Sequence, residues 1–136
     1  MNAPSASTRT ILVVEDDHHV AELVKFRLQR EGYEVRHAAD GEQALRELDH
    51  PALPDLVIMD VMLPYHSGHE LLAEMRRRPA WGQVPVIMLT GRSQEEDVVQ
   101  CLKLGANDFL SKPFRPAELM ARIQKLLSST PPKVSP

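Results

Sequence analysis

The chain of 136 residues contains a single cysteine, Cys101, and no excess of basic residues. One cysteine excludes an intrachain disulfide and a four-cysteine metal site. Sixteen lysines and arginines stand against nineteen aspartates and glutamates. This mildly acidic balance argues against general nucleic-acid binding, which usually requires a basic stripe. One tryptophan, two tyrosines and three phenylalanines are too few for a platform on which single-stranded bases would stack.

Long hydrophobic runs are also missing. No apolar run approaches the ~20 residues that a helix needs to cross a bilayer, and the polar stretch Met1–Thr10 lacks the apolar core of a signal peptide. We therefore expect a cytoplasmic protein of a reducing compartment, with no membrane association. The length and a hydrophobic content of 43% predict one folded domain.

Both ends of the chain differ in composition from the rest. Residues 1–9 are small and polar and are predicted to form a disordered N-terminal tail. Residues 128–136, SSTPPKVSP, contain three prolines, which supply no amide hydrogen to a helix. They are predicted to be a C-terminal tail or linker stub. The folded domain is therefore expected to span residues 10–127.

Between the tails, short apolar runs alternate with segments of helical periodicity. The runs Ile11–Val14, Leu56–Met59 and Val86–Leu89 are nearly continuous, as in strands that are buried on both faces of a parallel sheet. Weaker strands are predicted at Glu34–Ala38 and Asp108–Ser111. The alternation predicts an α/β fold of five βα units, with helices on both faces of the sheet.

The predicted helices are indicated by capping residues at their ends and by apolar residues at helical spacing. Capping boxes are predicted at Ser67 with Glu70 and at Ser93 with Glu96. The first and fourth helices are expected to stop at glycines, where a left-handed helix end costs little. The residues expected on the inward faces of these two helices are Val20, Leu23, Val24 and Leu28 in the first, and Val98, Val99 and Leu102 in the fourth.

Charged and hydroxyl side chains follow four of the five predicted strands. Glu15–Asp17 follow the first strand, Asp60 the third, Thr90 the fourth and Lys112–Pro113 the fifth. The second strand is followed only by residues typical of turns and helix caps. Because a parallel sheet gathers functional residues at the carboxyl ends of its strands, we expect these groups to converge at one edge.

Three carboxylates in one cleft repel one another unless a cation joins them. Mg²⁺ prefers oxygen ligands and typically binds one or two carboxylates together with a phosphate. Lys112 can pair with phosphate oxygens, Thr90 can donate a hydrogen bond, and an aspartate can itself be the nucleophile of phosphoryl transfer. The constellation therefore favours Mg²⁺-assisted phosphoryl transfer to a carboxylate.

Each of these residues also has an ordinary structural interpretation. Asp16 and Asp17 are suited to cap the first helix, Asp60 to end a strand in a turn, and Lys112 to be a solvated lysine. Thr90 alone would be a common strand residue. The functional hypothesis depends on their joint occurrence at strand ends.

Other polar residues are expected to be structural. His18 and His19 are adjacent on a helix and point about 100° apart, which disfavours a shared transition metal. His69 is expected to be a surface residue near the phosphoacceptor loop. The run Arg76–Arg78 is expected to complement a helix dipole. Cys101 is expected to be a small helix-face residue with no activating base.

Four stretches carry a resemblance to a known family: ILVVEDD, the spacing D-x-x-L-P with a following glycine, VIMLTG and GANDFLSKPF. Over roughly Thr10 to Leu127 the chain resembles the receiver domain of two-component response regulators, the CheY-like superfamily. The resemblance implies a flavodoxin-like, doubly wound (βα)5 fold with a five-stranded parallel sheet in the order 2-1-3-4-5.

The resemblance also implies a role for each acidic residue. Asp60 corresponds to the phosphoacceptor, and Asp16 resembles the direct metal ligand. The backbone carbonyl of Met62 resembles the third protein ligand of a Mg²⁺ ion, and Glu15 the residue that acts through water. Glutamate at position 15 replaces the more usual aspartate, and its longer side chain should still serve this role through water.

The remaining matches concern the response to phosphorylation. Lys112 resembles the phosphate-pairing lysine and Thr90 the switch hydroxyl, while Lys112–Pro113 resembles the cis peptide of the family. Phe109 occupies the position of the aromatic residue that turns inward when Thr90 moves. It is often tyrosine in the family, and phenylalanine has no hydroxyl to offer a partner.

The implied partners are a sensor histidine kinase or phosphotransfer protein and a downstream protein or effector. The resemblance also implies a possible homodimer on phosphorylation through the fourth helix, fifth strand and fifth helix. Asp108 and Arg122 match one intersubunit ion pair of OmpR-type receivers. Glu118 and Lys125 are expected to lack their usual partners in the other subunit, because Val98 and Asn107 stand where that type usually has charged residues.

Three alternatives remain open. The chain could be the receiver part of an OmpR-type DNA-binding transcriptional regulator, although this domain itself should not contact nucleic acid. It could be a pseudo-receiver used only for docking. It could also be an aspartate-nucleophile phosphatase, but Met62 stands where such enzymes carry a second aspartate. We expect no enzyme activity beyond self-phosphorylation and autodephosphorylation.

Overall fold

A computed structural model describes residues 8–91 and 95–129, and the side chains of all of these except 95–97. Most of the two predicted tails and the predicted capping residue Ser93 lie outside the described residues. The elements are β1 (Thr10–Val14), α1 (His18–Arg30), β2 (Glu34–Ala38), α2 (Gly41–Glu47), β3 (Leu56–Asp60), α3 (Gly68–Arg77), a 3₁₀ turn (Pro79–Trp81), β4 (Val86–Thr90), α4 (Glu95–Lys103), β5 (Asp108–Ser111) and α5 (Pro116–Ser129).

The five strands form one parallel sheet in the order β2-β1-β3-β4-β5. This confirms the predicted fold class and strand order. The predicted strands agree with the observed ones to within one residue at each end. Helix α5 continues through Ser129, so the first two residues of the predicted C-terminal tail belong to a helix.

Two apolar clusters, one on each face of the sheet, form the core. Alternate residues of β1 point to opposite faces, so that Ile11 and Val13 contribute to one cluster and Leu12 and Val14 to the other. β3 and β4 are buried throughout. Burial on both faces explains why their sequences are continuously apolar instead of alternating.

The helix ends follow the predicted capping chemistry where they are described. Ser67 and Glu70 form the predicted capping box at the start of α3. Asp17 caps α1 by accepting hydrogen bonds from the amides of His19 and Val20. Gly32 adopts a φ of 96°, which an L side chain rarely adopts and which ends α1 in a left-handed turn.

Three apolar residues expected on inward helix faces are instead exposed: Leu23 of α1, and Val99 and Leu102 of α4. The buried stripe of α1 consists of Ala21, Val24 and Leu28, and Leu23 lies beside that stripe. The expectation was wrong because each helix packs on the sheet through one narrow face. Within the described ranges, no helix combines the length and apolar character that crossing a membrane requires.

Candidate functional site

The carboxyl edge of the sheet gathers the predicted polar groups. Glu15 follows β1, Asp60 ends β3 and Thr90 ends β4, and they are the buried polar or charged residues of the described chain, each no more than 4% exposed. Buried carboxylates are costly unless they are paired or hydrogen-bonded. Glu15 and Asp60 therefore need charged or hydrogen-bonding partners at this edge, as is common for the buried ionisable groups of functional sites.

Lys112 lies between two of the carboxylates. Its Nζ atom is 2.6 Å from Oδ2 of Asp60 and 2.9 Å from Oε1 of Glu15. Burial alone lowers the pKa of Lys112, but the hydrogen bonds with Asp60 and Glu15 outweigh it, and the pKa is raised overall. The lysine is therefore a fixed cation beside the expected phosphoacceptor.

Glu15 is the most strongly perturbed carboxyl group of the site. Burial raises its pKa to about 7, with a further increase from Asp60, against the opposing effects of Lys112 and the Asp17 amide. That amide nitrogen donates to Oε2 of Glu15 over 3.0 Å. An additional cation would stabilise the charged form of this side chain.

The backbone around Asp60 holds its carboxylate in place. Oδ1 of Asp60 accepts a hydrogen bond from the amide of Met62 over 2.9 Å. The chain then turns back so closely that a Cβ atom on Gly68 would lie 2.4 Å from the carbonyl oxygen of Asp60. Only glycine permits this approach, which explains the glycine in the predicted motif.

The donor atoms of the acidic cluster are suited to bind a metal ion. Glu15, Asp16 and Asp60 each offer a carboxylate oxygen, and these atoms all lie within 4.8 Å of one another. Asp16 is exposed, whereas the other two are buried, so the cluster opens to solvent on one side. Hard oxygen donors of this kind suit Mg²⁺.

Thr90 and Phe109 flank the site on β4 and β5. The carbonyl of Thr90 accepts a hydrogen bond from the amide of Lys112 over 2.7 Å, which ties the ends of the two strands together. The Lys112–Pro113 peptide is cis, as the resemblance implied. Phe109 is partly buried and packs on the apolar cluster that contains Met88.

Two residues expected to be unremarkable are in contact. Nε2 of His69 lies 3.4 Å from Sγ of the buried Cys101. The expectation that Cys101 has no base beside it is therefore wrong. His69 is also only partly exposed, and it contacts the buried cysteine. The contact joins α3 to α4 across 32 positions of sequence, which no local pattern could reveal.

Two further contacts could not be predicted from the sequence. Arg76 lies under the α4–β5 turn instead of merely complementing a helix dipole, because its guanidinium donates to the carbonyl of Gly105. His37 of β2 approaches the acidic loop, with Nε2 2.9 Å from the carbonyl oxygen of Glu15. The second strand therefore also contributes a side chain beside the acidic loop.

Asp108 and Arg122 pair within one chain. The Nη1 atom of Arg122 lies 2.8 and 2.9 Å from the two carboxylate oxygens of Asp108, and Nη2 lies 3.1 Å from Glu118. Within the chain, Glu118 therefore pairs with a residue of its own helix, Arg122. These contacts hold the residues on the face that α4, β5 and α5 share.

The fold and site define an α/β domain with an acidic cluster at the carboxyl edge of its sheet, and comparison with known proteins identifies its family. Residues 11–124 match the family model described as the response regulator receiver domain. The chain therefore belongs to the response regulator receiver family of two-component systems. This assignment confirms the resemblance that the motifs predicted.

The chain is similar to two curated transcriptional regulatory proteins. It is 41% identical over 124 residues to the phosphate regulon protein PhoB of Escherichia coli K12, which covers 91% of this chain and 54% of that protein. It is 40% identical over 119 residues to the alkaline phosphatase synthesis protein PhoP of Bacillus subtilis, covering 88% and 48%. The chain thus spans about half the length of these relatives.

Two solved structures have the same fold. The chemotaxis response regulator CheY4 of Vibrio cholerae matches with a TM-score of 0.83 and 32% identity, covering 88% of this chain and 99% of that one. The receiver domain of the sensor histidine kinase PA1611 from Pseudomonas aeruginosa matches with a TM-score of 0.82 and 35% identity, covering 90% and 100%. That second structure has a magnesium ion coordinated in its active-site cleft.

Proposed function

We propose that this receiver accepts a phosphoryl group from the phosphohistidine of a histidine kinase or phosphotransfer protein onto Asp60, in a Mg²⁺-dependent reaction. The observation that carries the proposal is the position of Asp60 between a cation and an acidic cluster. Its Oδ2 atom lies 2.6 Å from Lys112, and its carboxylate lies within 4.8 Å of Glu15 and Asp16.

In this reaction a carboxylate oxygen of Asp60 attacks phosphorus, and the bond from phosphorus to the histidine nitrogen of the donor breaks. Lys112 pairs with phosphoryl oxygens as their charge develops. The Met62 amide holds Asp60 in a fixed orientation. The product is an aspartyl phosphate.

The residues that would hold Mg²⁺ are Asp16 and Asp60 directly, Met62 through its backbone carbonyl and Glu15 through water. When bound, the ion supplies positive charge that offsets the repulsion between the carboxylates and the phosphoryl group. The clustering of carboxylate oxygens supports this ligand set. The magnesium in the cleft of the related P. aeruginosa receiver supports it further.

Phosphorylation is then read at the face of α4, β5 and α5. Thr90 would move toward the phosphoryl group and Phe109 would fill the space it leaves, which biases this face between two arrangements. The partly buried position of Phe109 is compatible with such a movement. A downstream protein, an attached effector or a second copy of the chain would recognise the altered face.

The output depends on the protein in which the receiver acts. Similarity to half of PhoB and PhoP favours the receiver part of an OmpR-type transcriptional regulator, acting in the cytoplasm, with residues 10–127 as the domain. In this arrangement DNA contact belongs to another segment. Beyond its own phosphorylation and autodephosphorylation, the domain would have no enzyme activity.

The test is phosphorylation by a small phosphodonor with Mg²⁺, followed by intact-mass spectrometry. The wild type should gain one phosphate, and Asp60→Asn should gain none. Asp40→Asn is a matched control, because Asp40 is not a member of the acidic cluster, its side chain caps α2, and asparagine caps equally well. Equal phosphorylation of Asp60→Asn would refute the proposal, and a wild type that takes up neither phosphate nor Mg²⁺ would favour a docking module. Sustained turnover of a phosphomonoester would favour a phosphatase.

A further inference from the structure

His37 lies on β2, opposite Val13 of β1, near the carboxyl end of the sheet. Its Nε2 atom is 2.9 Å from the backbone carbonyl oxygen of Glu15. A carbonyl oxygen can only accept a hydrogen bond, so Nε2 must carry the hydrogen and donate it. This assigns a defined orientation and a protonated Nε2 to the ring.

The contact restrains the start of the acidic loop. The amide of Glu15 donates to the carbonyl of Ala38 over 3.0 Å, so β2 already holds one side of this residue. His37 holds the other side, because the Glu15 carbonyl belongs to the peptide that leads into Asp16. Ala38 thus restrains the Val14–Glu15 peptide and His37 the Glu15–Asp16 peptide, so two neighbouring residues of β2 hold the peptides on both sides of Glu15.

The side chain of Asp16 has much less support of its own. It is exposed, whereas Glu15 and Asp60 are buried and Lys112 lies within 3 Å of both. Its direction is therefore governed largely by the backbone that carries it. A rotation of the preceding peptide would move the Asp16 carboxylate relative to the other two.

We propose that His37 is a positioning residue for the Mg²⁺ site, which orients Asp16 through its hydrogen bond to the Glu15 carbonyl. The inference rests on the proposed function, because it takes Asp16 as a metal ligand. Loss of a hydrogen bond that orients a metal ligand typically lowers the metal affinity by about tenfold or more. Here the restraint acts on the peptide next to the ligand and not on the ligand itself.

The test compares two substitutions at one position. His37→Phe keeps a ring of similar size but removes the donor, whereas His37→Gln keeps an N–H at a similar reach. Mg²⁺ affinity is measured by following backbone amide signals in an NMR titration, without any phosphodonor. We expect His37→Phe to weaken Mg²⁺ binding about tenfold, the low end of the usual effect of outer-shell changes, and His37→Gln to recover most of that loss.

His50→Phe is the matched control, because His50 is exposed and its Nδ1 atom accepts from the Ala52 amide, away from the acidic pocket. It should bind Mg²⁺ as the wild type does. Wild-type affinity in His37→Phe, or equal losses in His37→Phe and His37→Gln, would overturn the proposal. If the wild type itself does not bind Mg²⁺, the proposed function fails first and the positioning role falls with it.

A measurement on the unaltered protein covers the case in which His37→Phe does not fold. The nitrogen chemical shifts of His37 report which ring nitrogen carries hydrogen. A protonated Nε2 is expected. A ring protonated only at Nδ1 could not donate to the Glu15 carbonyl and would overturn the proposal.

Discussion

Arg76 and Gly105 are joined by two hydrogen bonds from one guanidinium to one carbonyl oxygen, 3.1 Å from Nε and 2.8 Å from Nη2. The Nη1 atom of the same side chain also donates to the carbonyls of Trp81 and Val84. Burial lowers the pKa of Arg76, but its pKa normally lies so high that the group remains charged. The end of α3 thereby holds both the turn before β5 and the entry to β4.

Loss of this side chain should therefore destabilise the domain. Arg76→Met leaves several partly buried carbonyls without their donor, at about 1–3 kcal/mol for each group that water cannot reach. We expect the free energy of unfolding, measured in urea, to fall by about 3 kcal/mol in total. Arg77→Met is the control, because the Arg77 side chain is 68% exposed and pairs only at the surface with Glu74. Its effect should stay below about 1 kcal/mol, and comparable losses in the two variants would contradict the account.

Gly68→Ala should disturb Asp60, the proposed phosphoacceptor. The added Cβ would lie 2.4 Å from the carbonyl oxygen of Asp60 and 2.9 Å from Cα of Val61, and both are backbone atoms that cannot rotate away. Overpacking of this kind costs about 1–3 kcal/mol, and the shift of Asp60 should also slow phosphorylation by a small donor. Gly82→Ala serves for comparison, since its nearest contact would be 3.7 Å. A Gly68→Ala protein with unchanged melting temperature and phosphorylation rate would show that the turn can relax.

Tyr65 adopts a φ of 74° in the loop after Asp60. The carbonyl of Pro64, just before Tyr65, accepts hydrogen bonds from the amide of His66, just after it, and from the amide of Gly41 at the start of α2. These two bonds hold the strained conformation. Asparagine tolerates the left-handed region, whereas a β-branched residue does not. Because the Tyr65 side chain is 74% exposed, little packing is lost on replacement. Thermal unfolding should therefore rank Tyr65→Asn at or above the wild type, and Tyr65→Val below it by about 1–2 kcal/mol; the reverse order would argue against strain.

The intrachain pair of Asp108 and Arg122 gives a prediction for assembly. The hydrogen bond with Asp108 is the main reason that the pKa of Arg122 is raised, so this contact stabilises the charged guanidinium. If phosphorylation drives dimerisation through this face, sedimentation should show a dimer of the phosphorylated wild type that Arg122→Glu abolishes. Exchange of the two residues, Asp108→Arg with Arg122→Asp, should restore it. Arg30→Glu on α1 should have no effect, and a phosphorylated wild type that remains monomeric would exclude this mode.

Much of the architecture could be predicted from the chain itself. The runs that became β3 and β4 were continuously apolar because both faces of the sheet are covered, and their bounds were right to within one residue. The position of Asp60 and Lys112 followed from the rule that parallel strands present their ends at one edge. Local composition and topology together are enough to assemble such a site.

What could not be predicted depends on contacts between distant segments. Arg76 belongs to a basic run that looks like a helix end, and only the fold brings the carbonyl of Gly105 to it. The approach of His69 to Cys101 and of His37 to Glu15 likewise joins separate elements. Exposure of Leu102 was missed because periodicity identifies an apolar helix face but not how much of it the sheet covers.

The most direct test of the central claim identifies the phosphorylated atom. Borohydride reduces an aspartyl phosphate to the alcohol and releases phosphate, which leaves homoserine in place of the aspartate. After phosphorylation in Mg²⁺ and reduction, peptide mass spectrometry should find homoserine at position 60 and at neither position 16 nor 17. Homoserine at another aspartate, or a stable phosphate on a histidine or hydroxyl residue with Asp60 unchanged, would contradict the account.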